Sequence, residues 1–394
     1  MLGFWRLRLD GYAIALIPMT SAIEPAASVA QRSRGGFLRD MALWAIFAPF
    51  AAVAVLIGAA LGLQGYYVAL VALAVAASVF AAVHHAEVVA HRIGEPFGTL
   101  VLALSVTLIE VALVVSLMIA GGAQAEALAR DTVFAAVMII LTGIVGLSLT
   151  LGGLKHREQV FRLDGVSASL VALATIAVMT FVFPNYTLTT PGPLYSPGQL
   201  ALVAVVSLVV YGAFIFTQTL DHRDYFLQAE SDSEASAHAA KPGNAVAAAS
   251  AVMLLISLIA VVLLAKALAP SLEQAVERAG APYAVVGVVI AAIILLPEGL
   301  AAVRAAHHNR VQTSLNLALG SALASIGLTI PAVSFLSLYM NTKLILGIDA
   351  KSTVLLLLSL FVAALALRTG RTIVLHGIAL LVVFAIYLFT TVVP

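Results

Sequence analysis

The sequence predicts an all-α integral membrane protein of eleven transmembrane helices, N-in and C-out, in which helix 1 precedes two inverted five-helix repeats (helices 2–6 and 7–11). Three observations predict it. Of 394 residues, 62% are hydrophobic and only 10% charged, against about a quarter charged in soluble domains. Eleven apolar runs reach the roughly 20 residues that a bilayer crossing needs. One acidic linker parts the last ten runs into five and five, and an odd number per half makes the second half enter from the opposite face.

Residues 1–40 mix Arg6, Arg8, Arg32, Arg34 and Arg39 with Asp10, Glu24 and Asp40. The apolar stretch from Gly11 to Met19 is too short to span, and Asp10 directly before it argues against a signal peptide. This is expected to be a cytoplasmic N-terminal tail. The spans follow at 42–63, 66–91, 98–120, 131–152, 166–183, 198–219, 245–268, 282–304, 313–339, 350–368 and 371–392. The last two are expected to form a tight helical hairpin around Arg368-Thr369-Gly370-Arg371. Helix 1 and the first repeat occupy 41–220, and the second repeat 245–394. Between them, 221–244 forms an acidic cytoplasmic linker with Glu230, Asp232 and Glu234 but no apolar periodicity, a composition that does not fold alone.

Orientation comes from the Lys/Arg bias. With the N-terminus inside, 15 of the 20 Lys and Arg are cytoplasmic, and only Arg130, Lys266, Arg278, Lys343 and Lys351 lie outside. No cysteine is present, which excludes disulfides, thiolate metal sites and Fe–S clusters. Phosphate-binding Gly loops, a Gly-x-Ser-x-Gly elbow and aromatic-basic patches are absent, so neither cofactor nor nucleic acid is expected.

The third span opens at Glu95, a cap, with Pro96 at the first helical place, where its missing N–H is no loss. From Leu100 to Ala120 its only ionisable side chain is Glu110. Glu298, in Leu295-Leu296-Pro297-Glu298-Gly299, stands in the same predicament in the eighth span. Carboxylates at such depth are expensive and mark ion pathways by default. No Lys or Arg lies deep enough to be a standing partner, so each must hold a cation or a proton. Competition of the two for one pair of acids is the physics of an antiporter and needs no catalytic group; the chain is read as a transporter, not an enzyme.

Hard cations take carboxylates, carbonyls and hydroxyls. Secondary ligands are therefore sought at Thr107, one turn before Glu110, and at Ser148, Asn316, Ser321 and Ser325. Asn316 reads equally as helix–helix glue. Pro297 disturbs its helix and frees a carbonyl. A weak echo links the halves: each Glu is followed, in the next helix, by a Gly and five residues later a Ser (Gly143 and Ser148; Gly320 and Ser325).

His84, Glu87 and His91 share one helix face at the end of the second span. They read as a gate or proton relay, as a transition-metal site, or as polar groups at headgroup level. His307 and His308 read as solvated, and Asp164 as a helix cap.

Several stretches resemble the bacterial ChaA-type calcium/proton antiporters of the cation/calcium exchanger superfamily: His84-His85-Ala86-Glu87, Gly94-Glu95-Pro96-Phe97-Gly98, Ile109-Glu110-Val111, Pro297-Glu298-Gly299-Leu300, Asn316 to Ser321, and Gly327-Leu328-Thr329-Ile330-Pro331. The resemblance implies an eleven-helix fold whose two Glu-bearing repeats meet at the cation site. It implies Glu110 and Glu298 as the essential cation- and proton-binding carboxylates. It also implies export of Ca²⁺, with Na⁺ or K⁺ as further cargo, across the cytoplasmic membrane in exchange for protons. Relatives in plants and yeast carry Gly-Asn-Ala before each Glu; here Thr107-Leu108-Ile109 and Leu295-Leu296-Pro297 stand there. The expected partners are inorganic cations, protons and membrane lipids. Two other readings stay open: a Na⁺(K⁺)/H⁺ antiporter with little Ca²⁺ activity, and an intramembrane metallohydrolase using His84, Glu87 and His91.

Overall fold

The structure is a computed structural model that describes residues 43–63, 65–94, 97–120, 125–227 and 242–393. The N-terminal tail, the central part of the linker, and the expected cap at Glu95-Pro96 lie outside the described residues. Within them the chain forms helices α1 (Leu43–Ala60), α2 (Tyr67–Ile93), α3 (Phe97–Ala120), α4 (Glu126–His156), α5 (Leu163–Tyr186), α6 (Pro197–Asp221), α7 (Asn244–Arg278), α8 (Ala284–His307), α9 (Val311–Met340), α10 (Ala350–Leu367) and α11 (Val374–Val392). All eleven expected spans are therefore helical, and the chain is an all-α multi-pass membrane protein. Leu202, Val209, Ile259, Phe361 and Phe389 lie exposed on its outside, as a lipid-facing surface requires.

Boundaries moved where local pattern was a poor guide. Helix α7 runs ten residues past the expected 268, through Pro270, and at 1.5 Å per residue it outreaches the bilayer. Helix α5 starts at Leu163 with Asp164 inside its first turn and no side-chain cap. Asp164 is thus not the cap; it sits where a negative charge favours the helix dipole. The 368–371 stretch is not a bare hairpin. After a turn with Gly370 at φ +67°, strand β2 (Arg371–Ile373) pairs antiparallel with β1 (Glu158–Val160), Gln159 opposite Thr372. That partner lies some 200 residues away, out of reach of local periodicity.

Tertiary ties sort the loops onto two faces. On one, Arg92 at the end of α2 donates to the Asn244 side chain at the start of α7, β1 meets β2, and Arg162 donates to the Asp224 carbonyl at 2.6 Å. On the other, Ile345 N–H donates to Glu126 O (2.9 Å), Arg130 to Gly347 O (3.1 Å) and Asn185 to Ile348 O (2.7 Å). Helices α2 and α7 are consequently antiparallel. Exchange of α2–α6 with α7–α11 maps the packing onto itself: α4 lies on α11 as α9 lies on α6, α3 on α9 as α8 on α4, and α5 on α9 as α10 on α4.

Lipid offers no hydrophobic force between helices, so close backbone approach must do the packing. A Cβ at Gly146 of α4 would stand 3.1 Å from Leu380 Cβ of α11, and one at Gly327 of α9 would stand 2.9 Å from Tyr211 Cβ of α6. Helix α4 is buried along most of its length and forms the centre of the bundle. The third helices of both halves, α4 and α9, are interrupted near mid-span by a π-helical turn, Ile139–Ile144 and Ser325–Thr329.

Candidate functional site

Glu110 projects from the middle of α3 and is 5% exposed. The preceding Ile109 packs with α1, α2 and α7, which turns the carboxylate toward α9. There Ser325, the first residue of the π-helical turn, donates its hydroxyl to both carboxylate oxygens, at 2.5 Å to Oε1. Such turns insert a residue into the helical ladder and recur at functional sites.

Glu298 occupies the matching place on α8. Beside it, Gly299 has no side chain to hold off the π-helical turn of α4: a Cβ there would lie 3.0 Å from Ile144 Cδ1. Each acid-bearing helix thus packs against the interrupted third helix of the other half. Glu298 Oε2 is buried with no hydrogen-bond partner, and its carboxyl interacts electrostatically with Glu110. Among the described residues no Lys or Arg pairs with either acid. Two carboxylates in a low dielectric without counter-charge cannot both persist as bare anions. A cation or protons must accompany them.

The other residues singled out from sequence fall unevenly around this pair. Thr107 is buried (3% exposed) one turn before Glu110. Ser321 is half-buried one turn before Ser325, next to Gly320, where an added Cβ would meet no atom within 4 Å; that side of α9 borders open space. Ser148 is buried with an unpartnered hydroxyl, beyond the π-helical turn of α4. The echo of Ser148 with Ser325 is therefore out of register: the element matching Ser325–Thr329 is Ile139–Ile144, which holds Thr142 and Gly143. Asn316 is not brought to the acids. Its amide donates to Phe226 O at 2.6 Å and accepts from Gln312 at 3.0 Å, and nine residues of helix separate it from Ser325, about 13 Å.

His84, Glu87 and His91 do not converge. Glu87 and His91 are exposed, and His84 lies against Trp44, the rings tilted at 52° with centroids 5.4 Å apart. Among the described residues no three His, Asp or Glu side chains gather to hold a metal ion, so the zinc site that a metallohydrolase needs is not formed. The buried histidine is their neighbour His85, 0% exposed, which the sequence reading passed over. Gln159 was also missed: it donates to Ala306 O (2.8 Å) and Asn309 Oδ1 (3.1 Å) and binds two loops together.

With this geometry in place, likeness to known proteins is informative. The chain is 48% identical over 317 residues to the candidate ionic transporter y4hA of Sinorhizobium fredii, covering 80% of this chain and 86% of that one. It is 41% identical over 315 residues to the sodium-potassium/proton antiporter ChaA of Escherichia coli, covering 79% and 85%. Among solved structures, native YfkE superposes with a TM-score of 0.69 at 17% identity, over 89% of this chain and all of that one. The H⁺/Ca²⁺ exchanger CAX gives 0.67 at 15%, over 88% and 87%; both likenesses concern the fold. The sodium/calcium exchanger protein family matches residues 61–220 and 249–393, and the chain belongs to that family.

Proposed function

We propose that the protein is a secondary cation/proton antiporter of the cytoplasmic membrane, exporting Ca²⁺, with Na⁺ or K⁺ as further cargo, against entering protons. One observation carries the reading: Glu110 of one half is held by Ser325 of the other, with Glu298 in electrostatic range and, among the described residues, no basic partner to neutralise them. Cation and proton are then alternative occupants of the same oxygens. The two acids and nearby hydroxyls form an all-oxygen donor set, suited to hard cations. Alternating access comes from one group of helices rocking against the rest. The more basic face is taken as cytoplasmic, with 41–220 and 245–394 as the two halves and 221–244 as the cytoplasmic linker.

Kinship to the sodium-potassium/proton antiporter of E. coli favours a second reading, Na⁺(K⁺)/H⁺ exchange with little Ca²⁺ activity. Acridine-orange dequenching in inverted vesicles, scanned over Ca²⁺, Na⁺, K⁺ and Mg²⁺, separates the two. Calcium-driven proton release at low concentration supports the first reading. Release by Na⁺ and K⁺ alone supports the second, and release by no cation refutes both.

A further inference from the structure

Helix α1 carries Pro49 in its interior. Proline has no N–H for the carbonyl four residues back, and that carbonyl belongs to Ala45, which is 0% exposed. An orphan carbonyl buried in a membrane protein is costly. His85 of α2 supplies what the proline lacks: its Nε2 lies 3.0 Å from Ala45 O. A carbonyl only accepts, so Nε2 carries the proton and Nδ1, buried without a partner, is the acceptor nitrogen of a neutral ring. A second tie closes the other end of the helix, where the Tyr67 hydroxyl donates to Val55 O at 2.6 Å.

Both bonds join α1 to α2; α1 also packs on α7, and Arg92 and Asn244 tie α2 to α7. Of the three, α2 and α7 meet α3 and α8 along an apolar seam. Val75 of α2 and Val261 of α7 face Leu113 of α3 and Ile290 and Ile294 of α8 across a narrow crevice. Ile109, adjacent to Glu110, is embedded on the three-helix side. Aliphatic surfaces hold no register through hydrogen bonds, so such a seam permits displacement. The polar bonds within the trio resist it.

We infer that His85 is a positioning residue for exchange: by replacing the backbone donor missing at Pro49, it fastens α1 to α2 so that α1, α2 and α7 act as one body against α3 and α8. The inference rests on the alternating-access reading above. It makes Pro49 and His85 a matched pair, in which restoring an N–H at position 49 removes the need for the imidazole.

The test is a mutant cycle read by transport and, separately, by docking of α1. With no native cysteine, Ala52→Cys provides a docking probe, since Ala52 is 1% exposed against α2 and α7. His85→Ala is expected to lower maximal exchange about tenfold with KM for the cation within about twofold, and to speed maleimide labelling at position 52 about tenfold, the scale for a buried carbonyl left unpaired. His85→Gln, which keeps a donor, and Pro49→Ala/His85→Ala, which no longer needs one, are expected to return both readouts to within about twofold of the parent. Parental exchange or labelling in His85→Ala would overturn the inference, as would a defect that Pro49→Ala does not relieve. Should His85→Ala fail to insert, the double variant decides alone: it must insert and exchange at the parental rate. The labelling series requires no transport, so a parent protein inert to every cation would sink the antiport reading and leave α1 docking independently measured.

Discussion

Ser325 donates its one hydroxyl hydrogen to both carboxylate oxygens of Glu110, across 215 positions of sequence. The bond joins α3 of the first half to α9 of the second. Its donor is neutral, so it orients the acid without cancelling its charge, and the remaining lone pairs stay open to a cation or a proton.

Competition at that site has a signed pH dependence. Acid fills the carboxylates with protons and alkali empties them, so the apparent KM for the driving cation must rise as pH falls. Release of one proton per bound cation gives about a tenfold rise per pH unit, and release of two about a hundredfold. Dequenching titrations between about pH 7 and about pH 9 read the slope. A KM flat across that range would refute shared occupancy. Glu110→Gln and Glu298→Gln are each expected to abolish exchange while membrane insertion persists.

The eleven spans were legible because a bilayer imposes one length and one composition on every crossing, whatever lies beside it. Glu110 and Glu298 stood out for the same reason, as ionisable groups where the solvent tolerates few. What stayed hidden depends on distant partners. The β1–β2 pairing, Gln159 bridging to Ala306, and Asn316 bound to Phe226 rather than facing the acids all involve residues 90 or more positions apart. The π-helical turns of α4 and α9 leave no periodic trace, so spacing alone aligns Ser148 with Ser325. His85 had a readable cue in Pro49, but only packing shows which side chain reaches the freed carbonyl.

Removal of the Ser325 hydroxyl tests the bond between the halves. A hydrogen bond to a charged group contributes about 1.5–3 kcal/mol, and Glu110 has little access to water in compensation. Ser325→Ala is expected to raise the cation KM by about tenfold or more, with protein yield unchanged. Ser325→Thr keeps the donor and should lie between parent and Ala. An unchanged KM in Ser325→Ala would show that the hydroxyl plays no part in cation affinity.

Gly327 and Gly320 share a helix and differ in surroundings. A Cβ at Gly327 would lie 2.9 Å from Tyr211 Cβ and 3.0 Å from its Cγ. Those atoms sit close to the α6 backbone and cannot swing aside, so α6 and α9 must part. Gly327→Ala is expected to destabilise by about 1–3 kcal/mol, seen as a lower Tm in detergent. At Gly320 the added methyl meets nothing within 4 Å, and Gly320→Ala should be neutral or gain up to about 1 kcal/mol from helix propensity. Equal Tm shifts in the two variants would contradict the packing of α6 on α9.

The strand β1 offers two neighbouring side chains with opposite expectations. Glu158 pairs with Arg371 at 3.1 Å, but the two side chains are 45% and 68% exposed, and exposed pairs contribute at most about 1 kcal/mol. Gln159 points inward, 1% exposed, and its amide holds Ala306 O and Asn309 Oδ1. Truncating it removes two side-chain hydrogen bonds at the end of α8, the helix that carries Glu298, and leaves the Ala306 carbonyl only its backbone donor, Asn309 N–H at 3.0 Å. Gln159→Ala is expected to cost about 1–3 kcal/mol and Glu158→Gln less than about 1 kcal/mol, with the latter effect vanishing in high salt. Thermal unfolding of both variants at low and high ionic strength checks the pair. A larger loss for Glu158→Gln would mean that the surface ion pair, and not the buried amide, joins the α4–α5 loop to the rest of that face.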